Sequence, residues 1–471
     1  MSDLVVAAPD GCALHHCVVR PTGRGPWPTV LIRTPYDRRT LLGEAAGWAA
    51  HGFACVVGDV RGRFGSSGEF QPYLHEETDG AAVLDAVRDL PFCDGRVVLA
   101  GASYGAHCAV RTALARPGAV AGVLAAVPAL GRGETVRECG GAARLACRAG
   151  WWSEHGGRRV PRPARPVRLD ALPVTGILDA PGWPALWTAP ARDPALWSRL
   201  PGIGTPLLAV GGTADPFAAA TAALARAWGG PARLLLGPWG HRLDADAPGA
   251  ALGGARIGAV YACWARAVLD GAATGRGELV AAGPDGRWAD PDAGLRVELG
   301  GGAFTADPDD PFPSRPRGTD LRIDDARRDR LLLSTPPLPG GELRGPVGIT
   351  LHVGLSAPHA DWFARLSLPG PGGRHEIATA VLRHRVAPIA VRLTTPPAGA
   401  VVPSGGRLVL EVAGHHFPAH ARNPHTGADA ASAVELRPDR RTVLAAVLDL
   451  PLSPTGRGTV APARIAEEIA R

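Results

Sequence analysis

The chain of 471 residues has no lysine; all 50 of its basic side chains are arginines. With alanine, glycine and arginine so abundant, this is the imprint of GC-rich coding. The net charge of +6 is therefore weak evidence for a nucleic-acid partner. The densest basic stretch, "HGGRRVPRPARPVR" at 155–168, has no aromatic residue among its arginines and reads as a solvated loop. The 8 cysteines include no Cys-x-x-Cys pair. Several lie in apolar runs, such as Cys55 in "GFACVVGDV" and Cys108 in "AHCAV", so free thiols in a reducing compartment are expected. No run of about 18 apolar residues is present, which argues against a helical membrane span. The first residues, "MSDLVVAAPDG", lack the basic start, apolar core and cleavage site of a secretory leader. A cytoplasmic protein is expected. "GRFGSSG" has phosphate-loop glycines without a Gly-Lys-Ser/Thr ending, so nucleotide binding is not expected.

What is present is material for two or three folded domains. Hydrophobic residues make up 46% and mean hydropathy is near zero, as in globular proteins. The 62 glycines and 46 prolines predict many turns. Strand-like and helix-like segments alternate at the start: "PTVLIRTPY", "LLGEAAGWAAHG", "FACVVGDVRG", then "TDGAAVLDAVRDL" as a helix capped by Thr78 with Asp79 in its first turn. "GRVVLAGAS", "YGAHCAVRTALARPG" and "VAGVLAAVPAL" continue the rhythm, which is that of a parallel sheet covered on both faces. Tryptophans and prolines then crowd 131–200 without a buried-strand pattern, and the alternation resumes with "TPLLAVGG" and "ARLLLGPWG". Beyond this, short alternating strands between Gly/Pro turns predict an all-β sandwich. The expected plan is an α/β domain in two parts, 1–130 and 201–276, a cap insertion at 131–200 and a β domain at 277–471.

"LAGASYGAHCAV" at 99–110 places Ser103 between Gly101 and Gly105, after a strand and before a helix. A serine on a sharp strand-to-helix turn needs small neighbours and faces the free N–H groups of the helix that follows. It becomes a nucleophile only with a base to take its proton and an acid to orient that base. "TPLLAVGGTADPF" puts Asp215 on a turn after one later strand, and "ARLLLGPWGHR" puts His241 after the next. The order serine, acid, histidine is the one this architecture uses. Asp215 could instead cap a helix opening at Pro216, His241 could be a plain loop residue, and Asp244 or Asp246 could replace Asp215 as the acid. His416 and His420 in "GHHFPAH" have the spacing of helical metal ligands, but Pro418 argues against a helix, and no metal or cofactor is expected.

These segments, with "RTPYDRR" at 33–39, "GDVRGRFGSSGEFQPY" at 58–73, "GASYG", "GPWGH" and the late "STPPL", "SAPHADWFARL" and "GHHFPAHARNPHTG", resemble a known family. It is the cocaine esterase-like (CocE/NonD) serine hydrolases, which include X-prolyl dipeptidyl peptidases and α-amino acid ester hydrolases. The resemblance implies an α/β-hydrolase fold with a C-terminal jelly-roll domain and a triad of Ser103, His241 and Asp215. It also implies an oxyanion hole from the Tyr36 hydroxyl and the Tyr104 backbone N–H. A small-molecule ester or amide is the implied substrate, with no nucleic acid or membrane partner; a homo-oligomer is left open. Two departures stand out. "GTAD" lacks the aromatic pair usual before the acid, and the amine-binding carboxylates of the peptidase and amino-ester branches do not align onto the cap. A neutral, apolar acyl or leaving group is therefore expected, with Trp151 and Trp152 as candidate pocket residues. Alternatives are an acyltransferase or cyclase that delivers the acyl group to an amine or alcohol, and a non-catalytic binding protein on the same scaffold.

Overall fold

A computed structural model describes residues 1–163, 165–243, 252–282, 288–289, 294–355, 357, 359–385, 389–456 and 459–471. Asp244 and Asp246 lie outside the described residues. The chain opens with β1 (Ser2–Ala7), β2 (Ala13–Val19), β3 (Trp27–Thr34), α1 (Leu42–Ala50) and β4 (Ala54–Asp59). There follow α2 (Glu76–Arg88), β5 (Cys93–Ala102), α3 (Tyr104–Ala115) and β6 (Gly122–Ala126). A cap with α4 (Arg132–Val136), α5 (Ala146–His155), α6 (Trp183–Leu186) and α7 (Pro194–Trp197) interrupts the series. It resumes as β7 (Leu207–Gly212), α8 (Ala218–Ala227), β8 (Ala232–Gly237), α9 (Ile257–Leu269), β9 (Gly277–Ala281) and β10 (Trp288–Ala289).

Among the described residues these strands form one sheet in the order β1-β2-β4-β3-β5-β6-β7-β8-β9-β10. From β4 to β9 the pairings are parallel; β1, β2 and β10 join antiparallel at the edges. Strands β4, β6 and β7 are buried at every residue, because helices cover both faces. That explains their unbroken apolar sequences. Helix α2 begins three residues ahead of the expected start: His75 stands at its N-cap and Thr78 is inside the first turn, with Glu76, Glu77 and Asp79. Three acidic groups at the positive end of the helix dipole serve where a side-chain cap was expected.

The β domain comprises β11 (Leu295–Leu299), β12 (Gly302–Ala306), β13 (Arg330–Ser334), β14 (Gly341–Gly345), β15 (Gly348–Leu355) and β16 (Ala360–Gly370). It continues with β17 (Gly373–His384), β18 (Ala390–Thr394), β19 (Ala398–Val402), β20 (Val409–Ala413), β21 (Asp439–Leu450) and β22 (Leu452–Ser453). The sheet β11-β21-β15-β18, with β12 also on β21, and the sheet β13-β20-β16-β17 share one core around Ile349, Leu351, Trp362, Leu366 and Leu448. This is the expected sandwich. A third small sheet, β19-β14-β22, completes the domain.

The boundary expected at 277 falls too early. "GELVA" pairs in parallel with β8 and extends the first sheet, so the sandwich begins near Leu295. The C-terminal helix α10 (Ile465–Ile469) also leaves the sandwich: Ile465 and Ile469 are buried in the α/β core against α9. The cap packs on both domains. Trp152, Trp183 and Trp187 share a core with Ala421, Ala430 and Ala431 of the β domain. Arg144 donates to Glu138 within the cap and to the Pro216 carbonyl at 2.8 Å, while His420 Nε2 lies 3.0 Å from Glu138 Oε1. Burial alone would raise the Glu138 pKa, but the Arg144 charge and the hydrogen bonds from His420 and Arg144 outweigh it and hold the carboxyl well below its usual range. His416 stacks on Phe363 at 4.7 Å, so His416 and His420, the pair with helical spacing in "GHHFPAH", each have another partner. All eight cysteines are unpaired. Among the described residues no helix is long and apolar enough to cross a membrane.

Candidate active site

Ser103 stands at the junction of β5 and α3 with φ 55° and ψ −117°, a strained conformation for a residue with a Cβ. Its backbone is held on two sides: its N–H donates to the Ala126 carbonyl at 2.9 Å, and its carbonyl accepts from Ala129 N–H at 3.1 Å. Helix α3 passes so close to β5 that a Cβ at Gly101 would lie 2.3 Å from the Gly105 backbone. Glycine is required there. The strained turn lifts the serine hydroxyl clear of the sheet and into a cavity.

Asp215 lies on the turn after β7 and His241 on the loop after β8. A Cβ at Gly212 would lie 1.8 Å from the Trp239 carbonyl, so only glycine lets the two loops cross. Ala214 N–H donates to that carbonyl at 2.9 Å, and buried Trp239 anchors the histidine loop in the core. The result is a continuous chain: Asp215 Oδ1 is 2.9 Å from His241 Nδ1, and His241 Nε2 is 3.0 Å from Ser103 Oγ. A carboxylate only accepts, so Nδ1 carries the hydrogen and Nε2 is free to accept from the serine. Asp215 does not cap a helix; α8 opens at Ala218 with Phe217 at its N-cap. The turn is braced from outside by Arg144 on the Pro216 carbonyl and by Arg317, which donates to the Thr213 carbonyl at 3.1 Å.

A cavity of about 560 Å³ opens above Ser103 and His241 and is lined by Tyr36, Tyr73, Arg148 and Trp151 among others. The Tyr36 hydroxyl accepts from Trp151 Nε1–H at 3.0 Å, which leaves its own hydrogen to point into the cavity. Burial raises its pKa, against smaller opposing effects of Trp151, Arg148 and Ser103, so it stays a protonated donor at neutral pH. Buried Arg63 holds this loop by donating to the Pro35 carbonyl at 2.7 Å. Tyr104 serves differently. Its phenol is fully buried, donates to Glu76 and accepts from Tyr73 N–H at 2.7 Å, so only its backbone N–H, at the start of α3, is available to the site.

Trp152 does not line the cavity. It is 1% exposed in the cap core and donates to the Pro181 carbonyl at 3.0 Å. Adjacent helical residues point about 100° apart, so the face that turns Trp151 inward turns Trp152 away. Tyr73 and Arg148 were missed. Tyr73 closes the segment 58–73, where nothing local marks it as a cavity residue, but Arg148 is three residues before Trp151 on α5, and helical spacing alone places both on one face.

A parallel sheet with serine, acid and histidine beyond the ends of β5, β7 and β8, a cap above and a β domain behind defines an α/β-hydrolase with a C-terminal β domain. Residues 10–242 match the family model described as X-Pro dipeptidyl-peptidase (S15 family), and residues 262–446 match the model of the X-Pro dipeptidyl-peptidase C-terminal non-catalytic domain. The chain belongs to this CocE/NonD family of serine hydrolases, which comprises esterases and peptidases. It is 26% identical to the cocaine esterase of Rhodococcus sp., over 90% of this chain and 92% of that protein. An α-amino acid ester hydrolase structure is similar with a TM-score of 0.80 and 19% identity, covering 96% of each chain. An aminopeptidase from a marine sediment Thaumarchaeota archaeon gives 0.79 and 19%, covering 95% of each. A CocE/NonD family hydrolase from Staphylococcus aureus gives 0.67 and 14%, covering 96% of this chain and 93% of the other. The structural likenesses are in fold.

Proposed function

We propose that the protein hydrolyses a small-molecule ester or amide through an acyl-serine intermediate. His241 takes the Ser103 proton as Oγ attacks the acyl carbonyl, and Asp215 holds the imidazole and offsets its charge. The Tyr36 hydroxyl and the Tyr104 N–H donate to the oxyanion. Collapse of the tetrahedral state expels the alcohol or amine, which leaves with the proton from His241. Water then enters, gives a proton to His241 and its oxygen to the acyl carbon, and the acid departs as Ser103 regains its hydrogen. The observation that carries this reading is the unbroken Ser103–His241–Asp215 chain, whose serine and histidine stand on the wall of a cavity. Relatives named as esterase, ester hydrolase and peptidase support the bond type. The β domain, read as the family's jelly roll, braces the acid turn through Arg317.

Product analysis with a panel of activated esters tests the function. The free acid is expected as the main product even with added amine or alcohol; a dominant amide or new ester would mark acyl transfer instead. Tyr36→Phe removes one oxyanion donor and leaves the ring in place. A fall of about 10²–10³ in kcat, with KM little changed, is expected from steady-state kinetics. An unaltered kcat would remove Tyr36 from the mechanism.

A further inference from the structure

Arg148 is an arginine in the wall of the nucleophile's cavity, yet only 6% exposed. Its Nε and Nη1 are buried and have no hydrogen-bond partner among the described residues. Other buried arginines are satisfied: Arg38 meets Asp59, Arg144 meets Glu138, Arg330 meets Glu411, and Arg63 donates to backbone carbonyls such as that of Pro35. Arg148 instead lies over the Trp151 ring, 5.6 Å from its centroid, with Cys147, Tyr73 and Tyr36 as the titratable groups acting on it. None is a carboxylate. Glu44 also lines the cavity, but no ion pair joins it to Arg148 among the described residues. A guanidinium stays charged at any physiological pH, and taking one out of water without an anion is costly. The other walls are mostly apolar or already satisfied: Arg33, for instance, donates to the Glu76 carbonyl at 2.8 Å.

We propose that the substrate carries a carboxylate and that Arg148 receives it while Ser103 attacks the scissile carbonyl. This rests on the acyl-serine reading above and revises the expectation of a neutral acyl or leaving group. The planar fork of Arg148 suits a carboxylate's two oxygens, and the apolar wall formed by Trp151 suits the short chain between the two functional groups. A guanidinium whose side-chain partners are Cys147 and Tyr73, with no carboxylate paired to it among the described residues, matches a monoanion. Arg148 is in this account a specificity-determining residue, outside the chemical steps.

The test pairs esters that differ only by a carboxylate. One arm compares the p-nitrophenyl esters of hexanoic acid and of adipic acid (mono-ester); the other compares phenyl and 4-carboxyphenyl hexanoate. In the wild-type protein at least one carboxylate-bearing ester is expected to exceed its neutral partner by about tenfold or more in kcat/KM. Arg148→Met abolishes that ratio and Arg148→Lys retains part of it. Neutral preference in both arms, or a carboxylate preference that Arg148→Met leaves intact, overturns the proposal. Calorimetric binding of hexanoate needs no turnover: binding to the wild type and not to Arg148→Met supports the arginine's role, and equal binding or none to both contradicts it. Failure of every ester together with an unlabelled Ser103 would instead overturn the acyl-serine reading, with the hexanoate result still deciding for or against Arg148.

Discussion

Ser103→Ala is expected to lower kcat for any accepted ester by about 10⁶-fold while the fold remains intact. Without Oγ there is no atom to form the acyl intermediate, and His241 is left holding a proton site with no nucleophile beside it. Alanine tolerates the turn about as well as serine, since both carry a Cβ at φ 55° and the surrounding hydrogen bonds come from the backbone. Thermal melting should therefore be unchanged to within a few degrees. What persists over the uncatalysed rate is the contribution of Tyr36, the Tyr104 N–H and binding, about 10³–10⁴. Activity within tenfold of the wild type would mean that another nucleophile does the work.

Asp215→Asn is expected to cost about 10⁴ in kcat with little effect on KM. The amide nitrogen, turned toward Nδ1 at the position of Oδ1, needs an acceptor there and drives the ring hydrogen to Nε2. Nε2 then faces Ser103 as a donor and cannot take its proton. The geometry stays in place, because the turn is held by its own backbone bonds and by Arg144 and Arg317. Single-turnover kinetics separates this from a binding defect. A loss smaller than tenfold would show that His241 does not depend on Asp215 for its tautomer.

The parallel sheet was legible because β4, β6 and β7 are buried on both faces and so must be apolar throughout. The positions of Ser103, Asp215 and His241 were legible for a local reason. Each sits just past the end of a strand, on a turn whose glycines are demanded by close backbone crossing, as at Gly101 and Gly212. What escaped depended on long-range pairing. Nothing within "GELVA" says that its partner is β8 rather than a sandwich strand, and nothing within "ARIAEEIAR" says that it returns to α9. The cavity wall escaped for a similar reason: Tyr73, Arg148 and Phe217 come from three distant segments. Choosing Trp151 and Trp152 together ignored the turn of the helix, and the same geometry would have exchanged Trp152 for Arg148.

Everything in this account depends on the Ser103 hydroxyl being the atom that takes up the acyl group. Exposure of the wild-type protein to a fluorophosphonate, followed by peptide mapping in a mass spectrometer, reads that directly. One adduct per chain on the Ser103 peptide, suppressed by a competing ester and lost in Ser103→Ala, is the predicted result. An unmodified Ser103, or an adduct on another residue that accompanies the loss of activity, would contradict it.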